Sequence, residues 1–321
     1  MKYGIMIGLL CAAVLVAMFR KTVLVNLYLK LAIGRTTWFL CALAKKLTGR
    51  GKKNSVDVLD YKKRIWLHAQ ELKTVEIESW DGYTLTGHYL EHPEAERVIL
   101  IFHGWRGAWD RDGDALAEGL YGKKCSILLV SQRAHEESEG QYIGFGVLER
   151  YDCMNWLQYL EKNVPNLPVY LAGVSMGAST VLMAAGLKLP ERVKGVIADC
   201  GFTSPYDMVK IFAKNFMGMK ELSMVDEVNR LCRRKAGYDL KEYSTLEAMK
   251  CCRIPVFFVH GTGDGFVPYE MTVKNYKACS SDKWLYTVEG AGHAKSYLTD
   301  PDKYIEELVV FFRWGMEEML A

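Results

Sequence analysis

The sequence has none of the patterns that mark a structural metal centre or a disulfide scaffold. Its nine cysteines include no C-x-x-C pair and no H-E-x-x-H or comparable ligand cluster occurs, so no metal or other cofactor is expected. The adjacent Cys251 and Cys252 suit neither a usual zinc pair nor an easy disulfide. We therefore expect most cysteines to be small buried apolar residues. Seven of them lie in residues 65–321, an odd number that favours a reducing compartment.

Internal repeats, low-complexity tracts and a disordered composition are also missing. Half of the 321 residues are apolar and 25% are charged, so the chain can bury a sizeable core. The formal net charge is +3, but it is unevenly distributed. Residues 1–64 carry 13 Lys and Arg and two acidic residues, whereas residues 65–321 carry 28 Lys and Arg and 36 acidic residues. A nucleic-acid enzyme normally has its basic surface on the catalytic body. Because the body here is acidic, nucleic acid is not expected as a partner, and the oligomeric state is not indicated.

The N-terminal segment from Tyr3 to Phe19 is an uncharged apolar run of 17 residues, near the lower limit for a membrane-spanning helix. A cleaved signal peptide needs a small-x-small site after its apolar core, but Arg20 and Lys21 follow Phe19. An uncleaved membrane anchor fits best, with a buried or interfacial helix as the alternative. Most cations follow the run, so the positive-inside rule places the body on the cytoplasmic side.

Residues 22–44 form a further apolar stretch that is broken by Lys30 and Arg35. Lying flat on a membrane, this stretch would bring apolar and aromatic side chains to the interface, namely Leu27, Tyr28, Leu31, Trp38 and Phe39. We predict a membrane anchor and a basic juxtamembrane segment over residues 1–64, and one folded body over residues 65–321. The body should stay soluble and active after removal of about the first 60 residues.

From about residue 73 the pattern changes to short apolar runs separated by longer helical stretches. Continuous apolar runs are typical of strands buried on both faces of a parallel sheet. The runs predict strands at Thr74–Glu78, Tyr83–Leu90, Val98–Phe102, Ser126–Val130, Val169–Ala172, Gly195–Ala198, Val256–Val259 and Trp284–Val288. Asp81-Gly82, between the first two, is a good hairpin turn. The alternation predicts an α/β fold with a mostly parallel twisted sheet, helices on both faces and an antiparallel hairpin at its start.

One interval breaks this alternation. Over fifty residues separate the strand that ends at Ala198 from the strand that begins at Val256, and a single crossover helix does not need that length. The interval contains helical stretches at Pro205–Phe216, Met224–Lys235 and Ser244–Met249. We predict an inserted helical cap over about residues 202–250. The other predicted helices are Asp114–Tyr121, Gly146–Lys162, Met176–Leu187, Tyr269–Ala278 and Tyr304–Met319.

The clearest chemical motif is G-x-S-x-G, which runs from Gly173 to Gly177 between an apolar strand and a helical stretch. A nucleophile on a sharp strand-to-helix turn needs small neighbours, and Gly173 and Gly177 meet that need. Such a turn raises the Ser175 hydroxyl above the sheet, and the amides of the following helix favour negative charge there. The motif predicts Ser175 as a nucleophile.

A serine hydroxyl needs a base, and the base needs an orienting acid. The chain order expected for this type of turn is serine, acid, histidine, and only His260 and His293 follow Ser175. His260 ends an apolar strand and is expected to be a core histidine, whereas His293 lies in a glycine-rich loop after the last strand. Asp264 is the preferred acid because it lies in the glycine-rich loop after the penultimate strand, and Asp199 is the runner-up.

The oxyanion formed by such a nucleophile needs two preorganised backbone donors. One predicted donor is the N–H of Met176, directly after the nucleophile. The other is the N–H of Trp105 in the loop after an early central strand, where Gly104 lets the backbone come close. His103 is expected to brace this loop by hydrogen bonding.

The order of these motifs resembles the α/β-hydrolase superfamily over residues 73 to 316. The matching motifs are His103-Gly104-Trp105, the Gly173–Gly177 elbow, Gly263-Asp264 and Gly292-His293. The nearest resemblance is to bacterial capped serine hydrolases of the serine-aminopeptidase-like branch, related to monoacylglycerol lipases. The family loop that reads roughly D-x-R-G-x-G-x-S-x-G is replaced here by residues 131–140, which leaves the shape of that pocket wall open.

The resemblance implies a serine hydrolase that cleaves carboxylic esters through a Ser-Asp-His triad and an acyl-enzyme, with a small-molecule acyl ester as its substrate. Aminopeptidase, thioesterase or acyltransferase activity on the same fold stays open. A non-catalytic binding protein is a further alternative, although such relatives usually lack a triad member. The methionines of the predicted cap exceed what one docking face requires and favour a flexible acyl chain of short to medium length.

Overall fold

An eight-stranded sheet organises the described part of the chain, which in this computed structural model comprises Phe19 and residues 22–35, 66–164, 166–217 and 222–317. The strands are β1 (Lys73–Glu78), β2 (Thr84–Leu90), β3 (Arg97–Phe102), β4 (Cys125–Val130), β5 (Val169–Val174), β6 (Val193–Asp199), β7 (Val256–Gly261) and β8 (Lys283–Val288). Their order across the sheet is β1-β2-β4-β3-β5-β6-β7-β8. Strand β2 is antiparallel to both neighbours, and the other pairs are parallel. The predicted α/β fold is confirmed.

Four of the interior strands are buried along their whole length, as their continuous apolar runs predict. Every residue of β3, β4, β5 and β7 is buried, whereas the edge strand β8 is mostly half-buried. Burying apolar surface contributes roughly 25 cal/mol per Å², which makes this sheet the rigid part of the fold. Parallel pairing brings the carboxyl ends of β3, β5, β6, β7 and β8 to one edge, where the loops that carry the candidate site residues begin.

Helices cover both faces of the sheet. They are α1 (residues 22–33), α2 (Trp109–Asp112), α3 (Asp114–Tyr121), α4 (Glu149–Asn163), α5 (Met176–Ala184), α6 (Pro205–Met217), α7 (Leu222–Ala236), α8 (Thr245–Cys251), α9 (Tyr269–Ala278), α10 (Ser296–Thr299) and α11 (Pro301–Glu317). The helices predicted after residue 73 are found with ends shifted by a few residues. Helices α2 and α10 were not predicted, because a helix of four residues is too short to show a period.

The interval between β6 and β7 is helical, but its three helices do not form one unit. Helices α6 and α7 pack on each other, whereas α8 packs on α5 and α9 at the sheet. Ser244 begins α8 as an N-cap that accepts a hydrogen bond from the Glu247 backbone N–H. Of the interval predicted as a cap over residues 202–250, only α6 and α7 form an insertion. Helix α8 belongs to the body.

Residues 22–35 pack on the body, which differs from the predicted boundary between residues 1–64 and residues 65–321. The inner face of α1 is apolar and buried in one cluster with α6 and α7, through Val25, Tyr28, Leu29, Ala32 and Ile33. Gly34 then pairs with Tyr142 in a β-bridge. A stripe of apolar residues at helical spacing fits a protein surface as well as a membrane surface, and composition cannot separate the two. Removal of the first 60 residues would therefore strip part of the folded body.

The predicted membrane anchor over residues 3–19 lies outside the described residues except for Phe19, as do Trp38 and Phe39. Across the ranges that the structure describes, none of the helices has both the length and the apolar character needed to cross a bilayer. Six of the seven described cysteines are buried, as the sequence predicts, and Cys251 is exposed.

Replacing Ile33 by alanine should lower the free energy of unfolding by about 2–4 kcal/mol, because a fully buried side chain is removed from the contact between α1 and the insertion. Leu27→Ala on the exposed face of the same helix is the matched control, with an expected change within about 0.5 kcal/mol. Urea unfolding measures both variants. Equal effects of the two substitutions would show that α1 is not packed on the body in solution.

Candidate active site

Three side chains from the carboxyl ends of β5, β7 and β8 meet at one edge of the sheet. Ser175 directly follows β5, and Asp264 and His293 lie in the loops after β7 and β8. The Ser175 Oγ is 2.9 Å from the His293 Nε2, and the His293 Nδ1 is 2.7 Å from the Asp264 Oδ2. Because the carboxylate can only accept, Nδ1 carries the proton and Nε2 is left to accept from the Ser175 hydroxyl. This chain can remove the hydroxyl proton as the oxygen attacks an electrophile.

Ser175 lies on a strained turn between β5 and α5, with φ +56° and ψ −113°. A Cβ on Gly173 would lie 2.2 Å from the carbonyl carbon of Gly177, and a Cβ on Gly177 would lie 2.0 Å from the Phe102 carbonyl oxygen. Such distances are far inside van der Waals contact, so both positions require glycine for this turn to form.

The Asp264 carboxylate accepts hydrogen bonds on both oxygens. Its Oδ1 accepts from the backbone N–H groups of Phe266 and Val267 at 2.8 and 2.9 Å. Its Oδ2 accepts from His293 and also from the His260 Nε2 at 3.0 Å. Burial by itself would raise the pKa of Asp264, but the bonds from His260 and His293 outweigh it and hold this pKa well below its usual range. The carboxylate is therefore ionised beside the imidazole of His293.

His260 is a site residue whose role sequence reasoning missed. It is fully buried, as expected for a core histidine, but it also bonds to the acid. Its Nε2 faces two acceptors, the Asp264 carboxylate and the Val267 carbonyl oxygen at 3.1 Å, so Nε2 carries the proton. Its Nδ1 lies 2.7 Å from the Thr272 hydroxyl. The available signal was the four-residue spacing between His260 and Asp264 across a glycine-rich turn, which brings both side chains together.

Asp199, the runner-up acid, is directed elsewhere. Its Oδ1 accepts a hydrogen bond from the Ser296 hydroxyl at 2.8 Å, and its backbone carbonyl accepts from the Ser175 N–H at 2.8 Å. Burial raises the pKa of Asp199. This residue therefore supports the turn at Ser175 and the start of α10, while Asp264 is the carboxylate that bonds to His293.

The loop after β3 lies against the nucleophile. A Cβ on Gly104 would lie 3.4 Å from the Ser175 Cβ, and the Gly104 N–H donates to the Asp112 Oδ2 at 2.9 Å. His103 braces the loop because its Nδ1–H donates to the Gly104 carbonyl at 2.8 Å and its Nε2 accepts from the Gln132 N–H at 3.0 Å. Burial lowers the pKa of His103, which keeps the ring neutral for these two bonds.

The two predicted oxyanion donors flank Ser175. Trp105 follows Gly104 in the braced loop, and Met176 is the first residue of α5. The N–H groups of a first helical turn have no acceptor within their own helix and point towards the helix start. Both backbone N–H groups thus belong to segments that are held next to the Ser175 side chain.

The loop after β4, where the sequence departs from the family pattern, is anchored by a buried arginine. The Arg133 guanidinium donates to the Asp152 carboxylate at 2.6 and 2.5 Å and to the Asp81 carboxylate at 2.8 and 3.0 Å. From the same loop, the His135 Nε2 accepts a hydrogen bond from the Arg106 backbone N–H at 3.2 Å. The loop therefore ties the hairpin turn to α4 and supports the loop after β3 from its other side.

Comparison with known proteins agrees with this architecture. A family model for the alpha/beta hydrolase fold matches residues 97–234. The chain is 27% identical over 239 residues to the uncharacterized protein YqkD of Bacillus subtilis, covering 71% of this chain and 75% of that protein. The chain therefore has the α/β-hydrolase fold. The comparisons do not separate the branches of the superfamily, and the predicted branch stays a prediction.

Solved α/β-hydrolase structures have the same fold. The esterase Pf2001 from Pyrococcus furiosus has a TM-score of 0.61 at 22% identity, with 76% of this chain and 93% of that chain covered. Est1E from Butyrivibrio proteoclasticus, with ferulic acid bound, has a TM-score of 0.60 at 21% identity, with 76% of this chain and 99% of that chain covered.

A small apolar pocket adjoins Ser175. Its other lining residues come from α1, the loop after β3, the loop before α4, the loop after β6, helix α6 and the loop after β7, and they are Ala32, Trp105, Phe145, Phe202, Met208, Val209 and Phe266. The cavity has a volume of about 10 Å³, the space that one water molecule needs. The pocket therefore presents an apolar, tightly closed surface to any group bound to Ser175.

Within the ranges that the structure describes, one group of side chains could hold a metal ion, namely Cys200, Asp264 and His293, with ligand atoms within 4.8 Å of one another. Asp264 and His293 already bond to each other. Burial raises the pKa of the Cys200 thiol well above its ordinary value, which disfavours the thiolate that a metal requires. This group suits proton transfer better than metal binding.

The carboxylates of Asp264 and Asp199 should affect stability with opposite pH dependence. Because folding lowers the pKa of Asp264, its contribution is present above the unfolded pKa of about 4 and is lost as the pH falls below it. Folding raises the pKa of Asp199, so its contribution to stability is fully present below the unfolded pKa of about 4 and is lost as the pH rises above it. From about pH 7 to about pH 3, the destabilisation by Asp264→Asn should shrink and that by Asp199→Asn should grow. Urea unfolding across this interval measures both, and equal slopes would contradict the assignment.

Proposed function

We propose that this α/β-hydrolase is a serine hydrolase of carboxylic esters. The observation that carries the proposal is the hydrogen-bonded chain from the Ser175 hydroxyl through His293 to the ionised Asp264. Ser175 attacks the acyl carbon while the His293 Nε2 takes the hydroxyl proton. Asp264 holds the ring in the tautomer that leaves Nε2 free to accept, and its charge stabilises the imidazolium that forms.

The attack forms a tetrahedral oxyanion, for which the Trp105 and Met176 N–H groups are the proposed donors. Collapse of the intermediate breaks the bond to the alcohol oxygen, which leaves with the proton held by His293. A water molecule then attacks the acyl-enzyme, with His293 again as the base, and releases the carboxylic acid and free Ser175.

The preference for esters rests on the pocket beside Ser175. Its lining residues carry no charged side chain. A free amino terminus would bring an ammonium group, which needs an acidic partner to leave water, whereas an acyl chain is stabilised by apolar walls. The names of the structurally similar proteins include an esterase and a protein with ferulic acid bound, which supports esterase activity.

Replacing Ser175 by alanine should abolish covalent labelling by a fluorophosphonate probe and lower kcat for p-nitrophenyl acetate by about 10³-fold or more, because the nucleophile is gone. His293→Ala should cost as much and Asp264→Asn somewhat less. Asp199→Asn should cost least, because that carboxylate bonds to Ser296 and not to the base.

Ser179→Ala is the matched control for the nucleophile variant. Ser179 is as buried as Ser175 and lies one turn further along α5, where its hydroxyl accepts from the Phe202 N–H at 2.9 Å. This variant should keep its labelling. Near-normal turnover in Ser175→Ala would refute the serine hydrolase, and a higher kcat/KM for aminoacyl amides than for acyl esters would favour a peptidase.

We also propose that residues 3–19 associate the protein with a membrane, with the catalytic body on the cytoplasmic side. The uncharged run of 17 residues and the cations that follow it support this proposal. The full chain should sediment with membranes. A chain that lacks residues 2–18 should be soluble and keep its esterase activity, because it retains α1. Recovery of the full chain in the soluble fraction would contradict membrane association.

A further inference from the structure

Helix α1 closes the pocket beside the nucleophile. Ala32, which is 2% exposed, is the residue of α1 that lines the cavity. Facing it are Trp105 from the loop after β3 and Met208 and Val209 from α6 of the insertion. The pocket thus has walls from three parts of the chain that are distant in sequence, and α1 lies outside the region matched by the family model.

Side-chain hydrogen bonds fix α1 to the other two walls. The Trp105 indole N–H donates to the Ala32 carbonyl at 2.8 Å, and the Arg106 guanidinium donates to the Leu31 carbonyl. These are carbonyls of the last helical turn, which have no donor within the helix itself. The Tyr28 hydroxyl donates to the Val209 carbonyl at 2.5 Å, which links α1 to the insertion at a residue that also lines the pocket.

The position of Ala32 decides how much space the pocket has. Every other lining residue except Ser175 has a larger side chain than alanine. With a cavity of only about 10 Å³, additional carbon atoms at this position would occupy space that the bound group needs. Conversely, loosening α1 from the insertion would let the walls part.

We propose that α1 is a wall of the acyl pocket and that Ala32 is a specificity-determining residue, which limits the size of the acyl group that the site accepts. The proposal rests on the proposed function, since it assumes that Ser175 becomes acylated. It assigns α1 a role in substrate selection that is separate from membrane association through residues 3–19.

The test compares kcat/KM for the p-nitrophenyl esters of acetate, butyrate and octanoate. Ala32→Leu should lower the ratio of kcat/KM for the octanoate ester to kcat/KM for the acetate ester by about tenfold or more. One methylene more or less in an apolar pocket changes kcat/KM by about 10- to 200-fold. Tyr28→Phe, which removes the bond to the Val209 carbonyl, should raise the same ratio. If Ala32 and Tyr28 only supported folding, their variants would not shift the octanoate-to-acetate ratio in opposite directions.

Thr22→Leu is the matched control, because it adds similar bulk to an exposed position of α1. This variant should leave the chain-length profile unchanged. An unchanged octanoate-to-acetate ratio in Ala32→Leu, with Ser175 still labelled by a fluorophosphonate, would overturn the inference and leave the serine hydrolase intact.

A binding measurement separates failure of the inference from failure of the proposed function. If Ser175 is not labelled and no ester is cleaved, the proposed function fails. Calorimetry then measures the binding of monooctanoylglycerol to the Ser175→Ala variant. This measurement tests without turnover whether Ala32 limits the size of the acyl group. Adding Ala32→Leu should raise the Kd of monooctanoylglycerol about tenfold, whereas an equal Kd or no binding to Ser175→Ala would overturn the proposed pocket.

Discussion

The close approach of α5 to the end of β3 is the constraint on which the site depends. Gly177 lies so near the Phe102 carbonyl that a Cβ would be only 2.0 Å from its oxygen. This contact lets α5 begin directly after β5 and forces Ser175 to a positive φ of 56°. Strain of this kind costs on the order of 1–3 kcal/mol. Complete burial of α5 between sheet and neighbouring helices offsets it, so the stable core of the fold holds the strained conformation of this one serine.

A second feature of the site is that the acid is buried and still ionised. Asp264 receives two backbone N–H groups on one oxygen and two histidine rings on the other. Each donor replaces a water molecule that burial has removed. The carboxylate therefore does not need to reorganise when charge develops on His293, which is the condition under which a fixed charge lowers a barrier most.

Most of the fold and the core of the site could be predicted from the sequence, because both depend on local patterns. Continuous apolar runs located the strands, and the glycines around Ser175 located the turn. The bond between His260 and Asp264 depends on the path of a short loop, and the ion pairs of Arg133 join segments that sequence periodicity treats separately. The place of α1 was missed because apolar residues at helical spacing fit lipid and protein equally well.

The contribution of α1 to the pocket separates the reaction from the fit of the substrate. Ser175, Asp264 and His293 follow strands of the sheet, whereas Ala32 comes from a helix that precedes the sheet in the chain. A substitution at Ala32 would change the shape next to the nucleophile, while the turn and the strand ends belong to other elements. Such a helix can diverge between related proteins while the sheet stays constant, and exchanging it between relatives is a direct route to altered substrate range on an unchanged catalytic frame.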